Sequence, residues 1–273
     1  DGKYATAGYG VADEADGAAR DGGASRAGPR GAAALLGTAA LLGTAALVAT
    51  LPAAWRPDAA WGLPGDAWAG PECGADNPTL ATSRFVRGTS FGNEAAVIAF
   101  RRAPEGGAIQ PLALVRQVGA VYGLAFDPAR HLLFAGAFHK RNSAFGPLGT
   151  GGLYAIDVRD GSVERFARVP GAGNDMHTRQ DNYEPDERGR SFAGKSGLGD
   201  IDLSEDGRWL FAVNLADRKI HRLSAVDGSE AGQFPHGAAA EPWADDARPF
   251  ALDTWRGWLF HGVTDTAARS TAP

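Results

Sequence analysis

The chain predicts an all-β fold: a β-propeller of four-stranded blades, preceded by an N-terminal segment of low complexity. Three observations carry that reading. One template of apolar strand, polar turn and second apolar strand occurs three times. Behind two of the copies, a further strand pair completes a four-stranded meander, the blade of a propeller. Glycine (38) and proline (16) together far exceed average usage and supply the turns such a meander needs.

The three copies run Val121–Ala135, Gly199–Val213 and Pro249–Phe260. Each first strand alternates apolar with small or polar residues, as a half-buried strand must. Each turn uses Asp, Pro or Gly, which tolerate tight-turn dihedrals. Aligned on Phe134, Phe211 and Phe260, the copies lie 77 and 49 residues apart. The shorter spacing is that of a blade, and the longer is a blade with a long insertion. Outer strand pairs follow at Gly152–Val158 and Val163–Phe166, joined by Arg159-Asp-Gly-Ser162, and at Lys219–Leu223 before Val226-Asp-Gly-Ser229. Ala95–Phe100 and Leu112–Val115 read as an earlier outer hairpin. About three blades are visible, so the expectation is part of a ring, whose open edges invite pairing with other chains.

The rest divides by composition. Residues 1–30, rich in Gly, Ala, Asp and Arg, are expected to lack order, with Asp1-Gly-Lys-Tyr4 readable as the end of a strand. Residues 31–54 open with an uncharged run, 31–51, in which Leu-Leu-Gly-Thr recurs after six residues. Its length suits an export signal or membrane anchor and its Ala-rich texture suits a linker, so both readings stand. Residues 55–95 carry Trp55, Trp61 and Trp68 among prolines and read as an irregular surface segment, and 96–273 is the partial propeller.

A formal net charge of −5, with no clustered basic excess, argues against nucleic acid as the partner. The single cysteine, Cys73, rules out an internal disulfide framework and Cys-cluster metal sites, and reads as an ordinary thiol or a bridge to another segment. The Gly-rich stretch Phe145–Gly152 leads into a strand, whereas a phosphate cradle needs a helix N-terminus. The six histidines form no H-E-x-x-H helix, and no G-x-S-x-G elbow occurs.

The segment Ile201-Asp-Leu-Ser-Glu-Asp-Gly-Arg-Trp-Leu-Phe-Ala-Val-Asn214 resembles the repeat of bacterial propellers with an SPDG…LYVAN signature. Together with Phe138–Asp157, Gly197–Ser204 and Asn214–Lys219, it resembles the propeller regions of large bacterial surface proteins that carry serine–aspartate-repeat B-type modules. The resemblance covers roughly residues 76–264. It implies a secreted or cell-surface setting and no particular reaction.

Candidate site residues follow from loop chemistry. His139-Lys140-Arg141, just past an apolar strand, reads as an anion- or hydrogen-bonding loop at the propeller mouth, or simply as a solvated charge run. Loop 171–196 gathers Asp175, Asp181, Asp186 and one histidine. Such oxygen-rich loops hold calcium, although the spacing matches no EF-hand and a solvated loop is the plainer reading. Asp200 shares a strand face with Asp202 and is a candidate for the central channel or for a backbone hydrogen bond, while Asn214 ends the following strand. The function expected is a non-enzymatic extracytoplasmic module with a binding, structural or adhesive role. Its partner would be a protein or glycan at the cell surface, and it would touch a membrane only through residues 31–51. Exposed aromatics such as Trp55, Trp61, Trp68 and Trp243 would serve binding. The alternative is a metal-dependent, lactonase-like hydrolase or lyase using Asp200, Asn214 and Asp253 on the axis.

Overall fold

A computed structural model of the chain describes residues 4–10, 49–50, 79–88, 92–101, 108–178 and 186–269. Their strands form four antiparallel sheets. The first is β2 (Ala49–Thr50), β3 (Thr79–Ser83), β4 (Ala95–Arg101) and β5 (Gln110–Leu114), in that order, closed by a one-turn helix α1 (Val115–Val118). The second is β6 (Val121–Asp127), β7 (Leu132–Ala137), β8 (Gly152–Asp157) and β9 (Val163–Arg168). After the short helix α2 (Glu187–Phe192), the third is β10 (Leu198–Leu203), β11 (Trp209–Asn214), β12 (Lys219–Ser224) and β13 (Glu230–Pro235). The fourth is the hairpin β14 (Ala247–Trp255) and β15 (Trp258–Asp265), with β1 (Tyr4–Gly10) antiparallel along β15.

The turns explain the meanders. Asp127 ends β6 and accepts the N–H groups of Ala129 and Arg130 on one carboxylate oxygen, which bends the chain back into β7. Gly207 sits at φ 71° in the β10–β11 turn and Gly228 at φ 72° in the β12–β13 turn, where a Cβ is costly. Register is then set by burial. Ala125 faces Phe134 across β6 and β7, Asp202 faces Phe211 across β10 and β11, and Asp253 faces Phe260 across β14 and β15.

The sheets stack face to face, with a separate apolar layer in each gap. Val97, Leu112, Leu124, Leu133 and Ile156 fill the first gap. Phe134, Leu153, Ile201, Leu210 and Leu223 fill the second, and Phe211, Val213, Ile220, Leu252 and Leu259 the third. Successive residues of β11 thus serve opposite layers: Leu210 and Ala212 one way, Phe211 and Val213 the other. A sheet buried on both faces between like sheets is a propeller blade. The fold is therefore a β-propeller of four-stranded blades. Its described part holds three complete blades and a fourth sheet of three strands, against the three expected.

Close approach of the first strands of neighbouring blades fixes the stack. A Cβ on Gly123 of β6 would stand 2.5 Å from the Ile201 nitrogen of β10, so the backbones meet there without a side chain between them. Side chains clasp the blade edges. The guanidinium of Arg130 holds Asp127 of its own turn and reaches the carbonyls of Gly207 and Ala225 in the next blade. Glu205 accepts the N–H groups of Arg256 and Gly257 in the blade after that.

Three expectations differ in detail. Tyr4–Gly10, within the stretch expected to lack order, is a strand, because the backbone edge of β15 offers it seven consecutive partners. The first blade begins at β2 and β3 rather than near residue 96, since β4 needs a partner on its inner side. Trp243, expected as an exposed aromatic, packs on Ala238, Ala247 and Val263. Residues 11–48 and 51–78, with the apolar run 31–48, Cys73, Trp55, Trp61 and Trp68, lie outside the described residues.

Candidate functional site

The site is built where the second and third blades meet at one end. Strand β7 finishes at Ala137. The next residue, Phe138, forms a bridge with Gly197 at the entrance to the third blade, so the chain passes beneath the inter-blade loop. It then turns tightly at Asn142 (φ 63°), and Ser143 bonds back to the Val86 carbonyl. Loop 171–178 leaves β9 and reverses over Gly171 and Gly173, both at positive φ; a Cβ on Gly173 would lie 2.9 Å from Ser196 Oγ. This path lays His177 flat on His139, ring centres 4.4 Å apart and planes within 9°, while the Phe145 ring stands steeply inclined to both, at 75° and 69°.

The two imidazoles differ sharply in their surroundings. His177 places Nδ1 2.5 Å from Asp175 Oδ1 and Nε2 3.0 Å from the Lys140 carbonyl, with Asp186 Oδ2 at 3.6 Å. Burial opposes its protonation, but the Asp175 hydrogen bond, the carbonyl and the two carboxylates outweigh burial and hold its pKa above the ordinary value. His139 is fully buried, and neither of its ring nitrogens has a hydrogen-bond partner among the described residues. Burial first, and the neighbouring His177 second, push its pKa down to about 4. The Asp175 carboxyl stays below the usual range because its bonds with His177 prevail over burial.

Asp186, buried at the start of α2, spends its carboxylate on structure. It accepts N–H groups from Gly189 and Thr178 on Oδ1 and from Asn142 on Oδ2, which together hold its pKa low against burial. Burial lowers the half-buried Lys140 to about 8. Arg141 pairs with Glu187 at 3.2 Å and donates to the Asp186 carbonyl. The expected cationic loop of His139, Lys140 and Arg141 is therefore split: one residue inside, one half-buried, one ion-paired at the surface. Of the oxygen set expected for calcium, Asp175 stands beside the imidazoles, Asp186 is occupied by backbone N–H groups, and Asp181 lies outside the described residues.

Asp200 and Asn214 sit apart from this cluster. Asp200 is buried on β10 and accepts the N–H of Leu252 on Oδ2 and its neighbour Ile201 on Oδ1; burial raises its carboxyl to about 7. Asp202 accepts Thr254 N–H, so both carboxylates fasten β10 to β14. Asn214 closes its own hairpin, accepting the Ala216 and Asp217 N–H groups and donating to the Pro170 carbonyl. Asp253 is exposed on β14. The residue that sequence reasoning left out of the site is His177. Its signal was the Asp175-Met-His177 spacing in a loop otherwise read for oxygen ligands alone.

Beside the cluster lies an open cleft of about 540 Å³, walled by Thr150, Arg168 and residues 169–174. Asn174 forms its edge next to Asp175. His139, Asp175 and His177 each place one potential ligand atom within 4.8 Å of the others, a geometry from which a metal ion can be held.

Comparison with known proteins gives relatives for part of the chain. Colossin-D of Dictyostelium discoideum is 29% identical over 168 residues, which is 57% of this chain and 17% of that protein. Colossin-C of the same organism is 25% identical over 224 residues, 75% of this chain and 22% of that protein. The chain thus spans about a fifth of the length of these relatives. No family model matches. Among solved structures, an auxiliary nutrient binding protein from Bacteroides ovatus aligns over 58% of this chain and 29% of its own (TM-score 0.35, 12% identity). The calcium-binding protein regucalcin from Agrobacterium tumefaciens aligns over 58% and 41% (TM-score 0.30, 13% identity). The sheet register and the three apolar layers by themselves define the propeller fold.

Proposed function

We propose that the chain is a non-enzymatic binding module of a large extracytoplasmic protein, holding a surface protein or glycan at the loop end of its second and third blades. The observation that supports this reading is the open cleft of about 540 Å³ beside the buried polar cluster. Its volume falls in the range of ligand sites, and a rigid blade stack carries it on loops, the usual division of labour between scaffold and recognition. The polar residues of Asp200, Asp202 and Asn214 serve backbone hydrogen bonds instead of converging on a reacting centre, which favours binding over hydrolysis. The setting in a surface protein follows from the resemblance of residues 76–264 alone.

Probing the purified chain on arrays of glycans and of extracellular proteins, then repeating any hit with Asn174→Trp and Arg168→Glu, tests the reading. A binder lost in both variants supports the cleft. A binder indifferent to both, or no binder on either array, overturns it. Antibody labelling of intact cells that carry the native protein tests the setting, and labelling that requires permeabilised cells would place the module inside.

A further inference from the structure

We propose that His139, Asp175 and His177 form a binding site for a divalent transition ion of the zinc type. The inference stands apart from ligand capture by the cleft and fails or succeeds separately. Its first support is the assembly itself: two ring nitrogens and a carboxylate oxygen, from loops some forty residues apart in sequence, lie within 4.8 Å of one another. The second is His139. A fully buried imidazole with both nitrogens unpartnered is a costly arrangement that proteins keep only for a reason, and a bound ion is one such reason. Because no hydrogen bond pins that ring, turning it toward Asp175 breaks none.

The donor set selects the metal. Two imidazoles and one carboxylate suit zinc and its first-row neighbours, whereas calcium takes six to eight oxygens. The ion takes the place of the hydrogen shared between His177 Nδ1 and Asp175 Oδ1, and that proton leaves to solvent. Ligands at about 2.0–2.1 Å in a tetrahedron stand roughly 3.3 Å apart, so the 2.5 Å pair opens slightly and His139 swings in. The Lys140 carbonyl on His177 Nε2 remains as the outer bond that orients a metal-bound histidine. Asp175 is exposed, which supplies the entry path and leaves a fourth position for water.

The test uses the whole chain, stripped with a chelator and titrated with Co²⁺ followed in the visible spectrum, with Zn²⁺ competing. Saturable bands of tetrahedral intensity at one ion per chain, displaced by Zn²⁺ and not by Ca²⁺, are expected. His139→Phe keeps an aromatic plane against His177 while removing both nitrogens, and should weaken binding about tenfold or more. Asp175→Asn, at an exposed position, should do the same, while His236→Gln, which removes a histidine facing His261, should leave the bands intact. Absence of bands in the wild type overturns the site, as do bands that persist in His139→Phe or displacement by Ca²⁺. Should His139→Phe lose its cooperative melting, Asp175→Asn decides the matter alone.

Discussion

At the scale of single residues, one repeat position takes three different values. Phe134, Phe211 and Phe260 occupy equivalent places on the second strands of their blades, each opposite the matching residue of the first strand. Phe134 and Phe211 are buried in the layer shared with the following blade, whereas Phe260 is 39% exposed. Truncating a buried phenylalanine removes its transfer free energy and leaves a cavity, so Phe134→Ala and Phe211→Ala should each cost about 3–5 kcal/mol in urea unfolding. Phe260→Ala should cost less than about 1 kcal/mol. Equal losses at all three positions would show that the face carrying Phe260 is covered in solution.

At the scale of elements, the turns are what join blade to blade. Arg130 bridges its own turn and two carbonyls of the next blade, and its partner Asp127 is almost wholly buried. Arg130→Ala takes the cation from that buried carboxylate and the donor from the carbonyls of buried Ala225 and partly buried Gly207, and should lower stability by about 2–4 kcal/mol. Arg159 on Asp157 makes an equally short pair on an exposed turn, but solvent screens it, and Arg159→Ala should leave the unfolding midpoint where it is. If the two substitutions behave alike, Arg130 is not a clasp. Legibility followed the same divide. The Asp, Gly and Pro turns of 127–131, 204–208 and 226–229 could be read from sequence because their geometry is local. Arg130 could not, because its partners lie 77 and 95 residues away.

At the scale of the whole molecule, Asp200 links local burial to global stability. Its carboxyl is raised to about 7 in the fold, chiefly by burial against the help of two backbone N–H groups, with Asp202 and Asp253 adding to the rise. The folded chain therefore holds a proton that the unfolded chain has released between about pH 4 and pH 7. The stabilisation is complete below about pH 4 and is lost as pH climbs through 7. Asp200→Asn cannot ionise, so the difference in urea midpoint between wild type and variant should change steadily across pH 4.5–7.5. A constant difference would mean that Asp200 is ionised throughout and simply accepts its two hydrogen bonds.

The sequence by itself determined the blade: alternation sets which face of a strand is buried, and turn residues set where it reverses, and both act over a few residues. Only the tertiary structure decided the site. His139 follows a strand of the second blade and His177 lies in the loop leading to the third, so nothing in their spacing brings the rings together. The bridge of Phe138 to Gly197 and the reversal at Gly171 and Gly173 do that. The same packing withdrew Arg141 to Glu187 and committed Asp186 to backbone N–H groups, because once folded each charged group takes the nearest partner that satisfies it.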